Sequence, residues 1–141
     1  MDSVRFRVSL RLRHPSVPES DISAHLAMSP DVSWNVGDER VSVKGTALGG
    51  IRSETYWTCV LAEAADQDLS DLLREKLGYL EKRKLFLKNF MATGGSLEFY
   101  VALFVKSNGG VVIDYKVLRR MASRHIALAL DLYADGQAKS T

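Results

Sequence analysis

Cysteine is scarce in this 141-residue chain, which has a single one, Cys59. That excludes an intrachain disulfide framework and a thiolate metal cluster, and it suits a reducing cytosol. Long apolar runs are missing too. None approaches the roughly 18 residues that a membrane helix needs, and the opening MDSVRFRVSL alternates where a signal peptide would carry a continuous apolar block. The expectation is a cytoplasmic protein with no targeting segment and no membrane partner. The formal charge is only +2, too small to imply a nucleic-acid partner by itself.

The motifs of common chemistries are also absent. There is no Gly-x-Gly-x-x-Gly, no Walker loop and no Gly-x-Ser-x-Gly elbow. The three histidines, His14, His25 and His125, fall in different segments and lack a second ligand at useful spacing, so no metal and no cofactor are expected. Cys59 follows Trp57 in an apolar stretch, where a buried thiol is inert. No nucleophile stands with a base, which points away from an enzyme.

What is present is a long amphipathic stretch. From Asp68 to Ala92, Leu69, Leu72, Leu73, Leu77, Leu80, Leu87, Phe90 and Met91 fall on one stripe at helical spacing, which predicts a single helix packed on a core. Asp68 suits the N-cap, and Asp66, Asp68 and Asp71 put negative charge at the positive end of the dipole. Lys82, Arg83, Lys84 and Lys88 lie towards the other end, and Gly94-Gly95 suits a positive-φ terminus. Leu85 and Phe86 are off the stripe by angle.

Other segments alternate with period two. Val4 to Arg13 places Val4, Phe6, Val8, Leu10 and Leu12 on one face and Arg5, Arg7, Ser9, Arg11 and Arg13 on the other, the pattern of a half-buried strand. His14-Pro15 ends it, and a short helix is expected from about Pro18 to Met28. A turn-rich stretch with Trp34 and Val36 as anchors then leads to a short strand at Val41 and Val43. Glu54 to Leu61 and Leu97 to Val105 read as strands, the second apolar on both faces and so central. Asn108-Gly109 predicts a tight turn, Val111 to Ile113 a short return strand, Asp114 to about Arg124 a helix, and Ile126 to Tyr133 the last strand. Residues 134–141 read as a flexible tail.

Length and composition, 46% hydrophobic and 26% charged, suit one soluble domain over residues 1–141 that buries roughly 70% of its unfolded surface. The segment order predicts an α+β fold, a ferredoxin-like variant whose mainly antiparallel sheet carries helices on one face. The layout of Val4 to Val43 recurs in Leu97 to Tyr133, as strand, turn, helix, turn, strand.

The strand ending in His14-Pro15, the Ile22 helix, Trp34 with Gly37-Asp38, the Tyr56-Trp57 strand, the leucine helix, Ser107-Asn108-Gly109-Gly110 and the closing Leu130-Asp131-Leu132-Tyr133 together resemble the bacterial domain-of-unknown-function family numbered 4279. The resemblance spans nearly the whole chain and implies no particular activity. This chain has Arg124-His125 where that family usually has a Leu-Gly pair before the last strand.

Three surfaces emerge. An outer sheet face with Phe104, Ala127, Ala129 and Tyr133 is more apolar than a solvated face needs, which favours a protein-interaction module that pairs with a second copy or with another protein. Arg5, Arg7, Arg11 and Arg13 beside Tyr100 and Tyr133 suit nucleic acid or another polyanion, although the RNA-recognition signature is absent. A cleft near His14, Trp34, Asp38 and Trp57 suits a small molecule. Self-association through the sheet is the favoured reading.

Overall fold

The computed structural model of the chain describes residues 4–64, 67–106 and 109–134. Its elements run β1 (Arg5–His14), α1 (Glu19–Leu26), β2 (Val32–Trp34), β3 (Glu39–Val41), β4 (Ala47–Ile51), β5 (Thr55–Ala64), α2 (Leu69–Glu81), α3 (Lys84–Ala92), β6 (Ser96–Val105), α4 (Tyr115–Ser123) and β7 (Ile126–Ala134). Five strands form one mixed sheet in the order β2-β5-β1-β6-β7, and β3 and β4 form a separate hairpin. Every pairing is antiparallel except β6 with β7. The domain is α+β with a mainly antiparallel sheet. The two layouts that look alike in sequence close differently. β1 and β2 run parallel with β5 between them, whereas β6 and β7 are direct neighbours.

The arginine ladder and the apolar ladder of β1 part as the alternation demands. Leu10 and Leu12 lie beside Phe99 and Leu97 of β6 and beside Cys59 and Trp57 of β5. Buried residues of all four helices join these side chains in one cluster: Ile22 and Leu26, the leucines of α2, Leu87 and Phe90, and Val117 and Met121. None of β1's odd-numbered residues belongs to that cluster. Leu73 and Leu77 are fully buried and Leu80 nearly so. Cys59 is only partly buried at the cluster's margin, not in the core as its neighbours suggest.

The long helix is in fact two. Asp68 caps α2, its carboxylate accepting from the amides of Ser70 at 2.7 Å and Asp71 at 3.3 Å. The helix then breaks at Lys82-Arg83, where Arg83 leaves helical geometry at φ −116° and ψ 26°. The break resets the angular phase. Phe86 therefore turns inward, stacking on His25 at 4.2 Å and meeting Phe90 at 5.7 Å, while Leu85 stays 72% exposed. The Gly94-Gly95 stop forms as its residues predict. Gly94 sits at φ +104°, its amide bonds the carbonyl of Met91, and that of Gly95 bonds the carbonyl of Phe90.

Other boundaries shift. The return strand of the first unit is β2, and Val41 lies in the β3–β4 hairpin, with Val43 exposed in its turn. Val111 to Ile113 form no strand. Val111 and Ile113 pack on the core, and the stretch leads to the Asp114 cap of α4, which accepts from Lys116. Ala134 completes β7. The expected charge at Asp66, the Asn108 half of the tight turn and the tail beyond Ala134 lie outside the described residues.

Candidate functional site

The sheet's second face is made by side chains one step out of phase with the core. Arg5, Arg7, Arg11 and Arg13 of β1 are all on it, as the period of two requires. Register adds Tyr56 and Thr58 of β5, Glu98, Tyr100, Ala102 and Phe104 of β6, Ala127, Ala129, Asp131 and Tyr133 of β7, and Trp34 of β2. Side chains from five strands meet here with few gaps.

Guanidiniums and rings alternate across this face. Arg5 lies over Phe104 with its guanidinium carbon 4.4 Å from the ring centre, and Arg7 approaches the same ring at 5.9 Å. Arg11 covers Tyr100 at 3.7 Å, Arg13 reaches Tyr56 at 5.0 Å, and Arg52 covers Trp34 at 3.7 Å. Rings stack on rings at both ends, Trp34 on Tyr56 at 4.6 Å and Phe104 on Tyr133 at 5.2 Å. Each such contact is worth about 0.5–1 kcal/mol where exposed. The long side chains also cover the sheet: Ser9 and Ala102 are buried on this face.

Carboxylates stand between the cations. Glu98 takes a hydrogen bond from Arg11 at 3.3 Å, and Glu54 pairs with Arg13 at 3.6 Å. Asp131 accepts from Tyr133 at 2.9 Å and, on the same oxygen, from Tyr100. Those two donors hold Asp131 below its ordinary carboxylate range, while burial, with the same carboxylate next to it, pushes the Tyr100 hydroxyl well above its own. Arg5 and Arg7 have no carboxylate partner among the described residues. Five guanidiniums thus stand with three carboxylates, each of which is engaged by an arginine or a tyrosine.

The four residues of the expected cleft are not brought together. Trp34 pairs with Tyr56 and Ser33 with Trp57, so strand alternation puts the two tryptophans on opposite faces of the sheet. Trp57 is fully buried, its indole donating to the Ser23 hydroxyl at 3.0 Å. Asp38 is exposed in the hairpin and accepts from the Asn35 amide.

His14 is a clamp. It continues the even series of β1 into the core, its Nδ1 accepts from the amides of Ser16 and Val17 at 2.9 Å each, and its Nε2 stands 2.8 Å from the Thr93 hydroxyl. Two donors on Nδ1 leave Nε2 to carry the proton of a neutral ring, and burial lowers its pKa. The ring thus joins the end of β1 to the end of α3. Sequence reasoning read His14 as a cleft residue, yet its even position was the signal for burial.

The expected interface residues do share one neighbourhood. Ala127, Ala129 and Tyr133 project from β7, the strand at the edge of the sheet, and Phe104 is Tyr133's neighbour on β6. On β7's other side a step in exposure occurs. Leu130 and Leu132 sit beside Val101 and Leu103 in register, but Val101 and Leu103 are 0% and 5% exposed while Leu130 and Leu132 are 48% and 66% exposed. The helical layer covers the start of β7, where Ile126 is buried and Leu128 packs on the core, and leaves the second half of this edge strand bare.

No three of His, Cys, Asp and Glu gather into a metal-sized group among the described residues, and no helix there is long and apolar enough to cross a membrane. Neither the curated proteins nor the solved structures contain a match to the chain. A family model does match, over residues 4–135, which take in the complete sheet and every helix. The chain belongs to the family described as Domain of unknown function (DUF4279).

Proposed function

We propose that this protein is a non-catalytic interaction module that self-associates through its sheet, with β7 of one copy lying against β7 of a second. The exposure step between β6 and β7 carries this reading. A nine-residue edge strand presents one row of backbone donors and acceptors to solvent, and such an edge is a template for another strand. Exposed Leu130 and Leu132 supply apolar area that pairing would bury at about 25 cal/mol per Å². A two-fold axis beside β7 uses the same patch twice and closes the assembly. Two five-stranded sheets would then be continuous.

The second face fits the same assembly. Ala127 and Ala129 present small side chains beside the edge, and the Phe104–Tyr133 stack stands at its end. Interspersed Arg, Glu and Asp allow the face to meet a copy of itself at the rim, where charges set register more than affinity. Sedimentation at tens of micromolar is the test. Wild type should have twice the monomer mass, and Leu130→Lys with Leu132→Lys should be monomeric with an unchanged circular dichroism spectrum. A monomeric wild type, or a variant that stays dimeric, would contradict the reading.

One observation favours a second role. Arg5 and Arg7 converge on Phe104 without a carboxylate among the described residues, so that corner of the face suits an anionic group stacked on a ring. Retention on heparin at low salt, lost in Arg5→Glu with Arg7→Glu, would support it. No retention of wild type would remove it.

A further inference from the structure

A concavity lies on the helical side, where it reaches the start of β7 at Ile126 and Ala127. Its volume is about 950 Å³, and it opens between α3 and the turn that joins α4 to β7. Volumes of roughly 300–1,000 Å³ are usual for small-molecule sites. The break at Lys82-Arg83 creates it: α2 packs beside α4, whereas α3 continues along β6 and leaves a trough.

The trough's floor is the core itself, reached from outside at Leu80, Leu87, Leu97 and Ile126, with Met91 and exposed Leu85 on one wall. Its polar rim is entirely basic or neutral. Lys84 and Lys88, one helical turn apart on α3, face Arg124 and His125 across the opening, and no carboxylate lines it. Arg124 is partly satisfied by Glu81, at 3.8 Å from its Nε, a carboxylate that the Arg120 hydrogen bond already holds ionised. Lys84 and Lys88 form no ion pair among the described residues.

An apolar floor under a basic rim, in which Lys84 and Lys88 have no ion pair among the described residues, is complementary to one kind of small molecule, an anionic amphiphile. We infer that this trough binds a single-chain carboxylate of the fatty-acid type, its chain along Leu87, Leu97 and Ile126 and its head between Lys88 and Arg124. Desolvating the hydrocarbon chain drives binding, and the lysines select the sign of the head group. A neutral alcohol of equal length keeps the first contribution and loses the second. A cationic amphiphile is repelled.

The test uses the full chain and dodecanoate, by titration calorimetry and by displacement of the anionic dye 1-anilinonaphthalene-8-sulfonate. Saturable binding of one dodecanoate per chain is expected, with dodecyltrimethylammonium failing to compete. Lys84→Glu with Lys88→Glu should weaken dodecanoate about tenfold or more. Both positions are exposed, so folding should persist. Ala92→Trp, at an exposed position on the wall, should block the chain's path and lower affinity with both lysines intact. No saturable binding, equal binding of the cationic amphiphile, or affinity unchanged in both variants would each overturn the inference.

Discussion

The two faces of the sheet are built by the same strands and cohere by different physics. On the helix side, leucines and aromatic rings from four helices and four strands merge into one cluster, where stability scales with area removed from water. On the other side, guanidiniums lie on rings and carboxylates sit between them, in contacts that water and salt weaken. The contrast teaches where the molecule tolerates change. The first face should be intolerant and non-specific in its chemistry, and the second tolerant in stability and particular in what it presents to a partner.

Breaking the first face has the largest effect. Leu73→Ala and Leu77→Ala should each cost about 2 to 5 kcal/mol, because both leucines are fully buried and a cavity adds to the lost transfer energy. Urea midpoints measure it. On the second face, Phe104→Ala should cost about 1 kcal/mol, since it removes a stack and two cation contacts that are partly solvated. Equal costs on both faces would erase the distinction.

His14 is where a polar group stands on the apolar side. His14→Ala leaves the amides of Ser16 and Val17 without their acceptor and should cost about 2 to 3 kcal/mol. It should also alter the response to acid. The folded ring's pKa lies below its ordinary 6.5, so the unfolded chain takes up the proton first. The stabilisation is complete above pH 6.5 and is lost as pH falls from there through the folded value. Thermal midpoints between pH 7.5 and pH 5 should therefore fall more steeply in wild type than in His14→Gln, and parallel slopes would mean the ring is not a neutral acceptor.

Smaller changes sharpen the comparison. Tyr100→Phe removes the phenol bonded to Asp131 and should cost about 1 to 2 kcal/mol at neutral pH. Ala27 and His125, at φ 54° and 59°, are the only residues other than glycine with positive φ among those described. Ala27→Gly and His125→Gly should each stabilise by about 0.5 to 1 kcal/mol, relief of backbone strain being partly offset by glycine's freedom when unfolded. A loss of stability in His125→Gly would show the imidazole making a contact worth more than the strain.

Much of this was legible in the residues, for reasons that differ by element. β1 is unmistakable because its alternation never lapses from Val4 to Arg13, and α2 because its stripe repeats over several turns. The α2–α3 break was not, since Lys82-Arg83 contains neither glycine nor proline. The off-stripe positions of Leu85 and Phe86 were its only trace. The tryptophan cleft failed because relative face depends on register, and Trp34 belongs to a three-residue strand with no alternation to read. The arginines and tyrosines of the second face could be named beforehand, but which guanidinium covers which ring follows only once β1 is set against β6. The exposure step at β7 was hidden for another reason: Ile126, Leu128, Leu130 and Leu132 form an apolar series that reads as buried throughout. Only the extent of the helical layer separates its ends.

That step is the centre of the functional account, and amide hydrogen exchange tests it most directly. Comparing a dilute sample with one at high concentration, the outward amides of β7 should gain protection with concentration while those of β1 stay unchanged, because β1 is bonded on both sides within one chain. Exchange along β7 that is identical at both concentrations would contradict pairing at this edge.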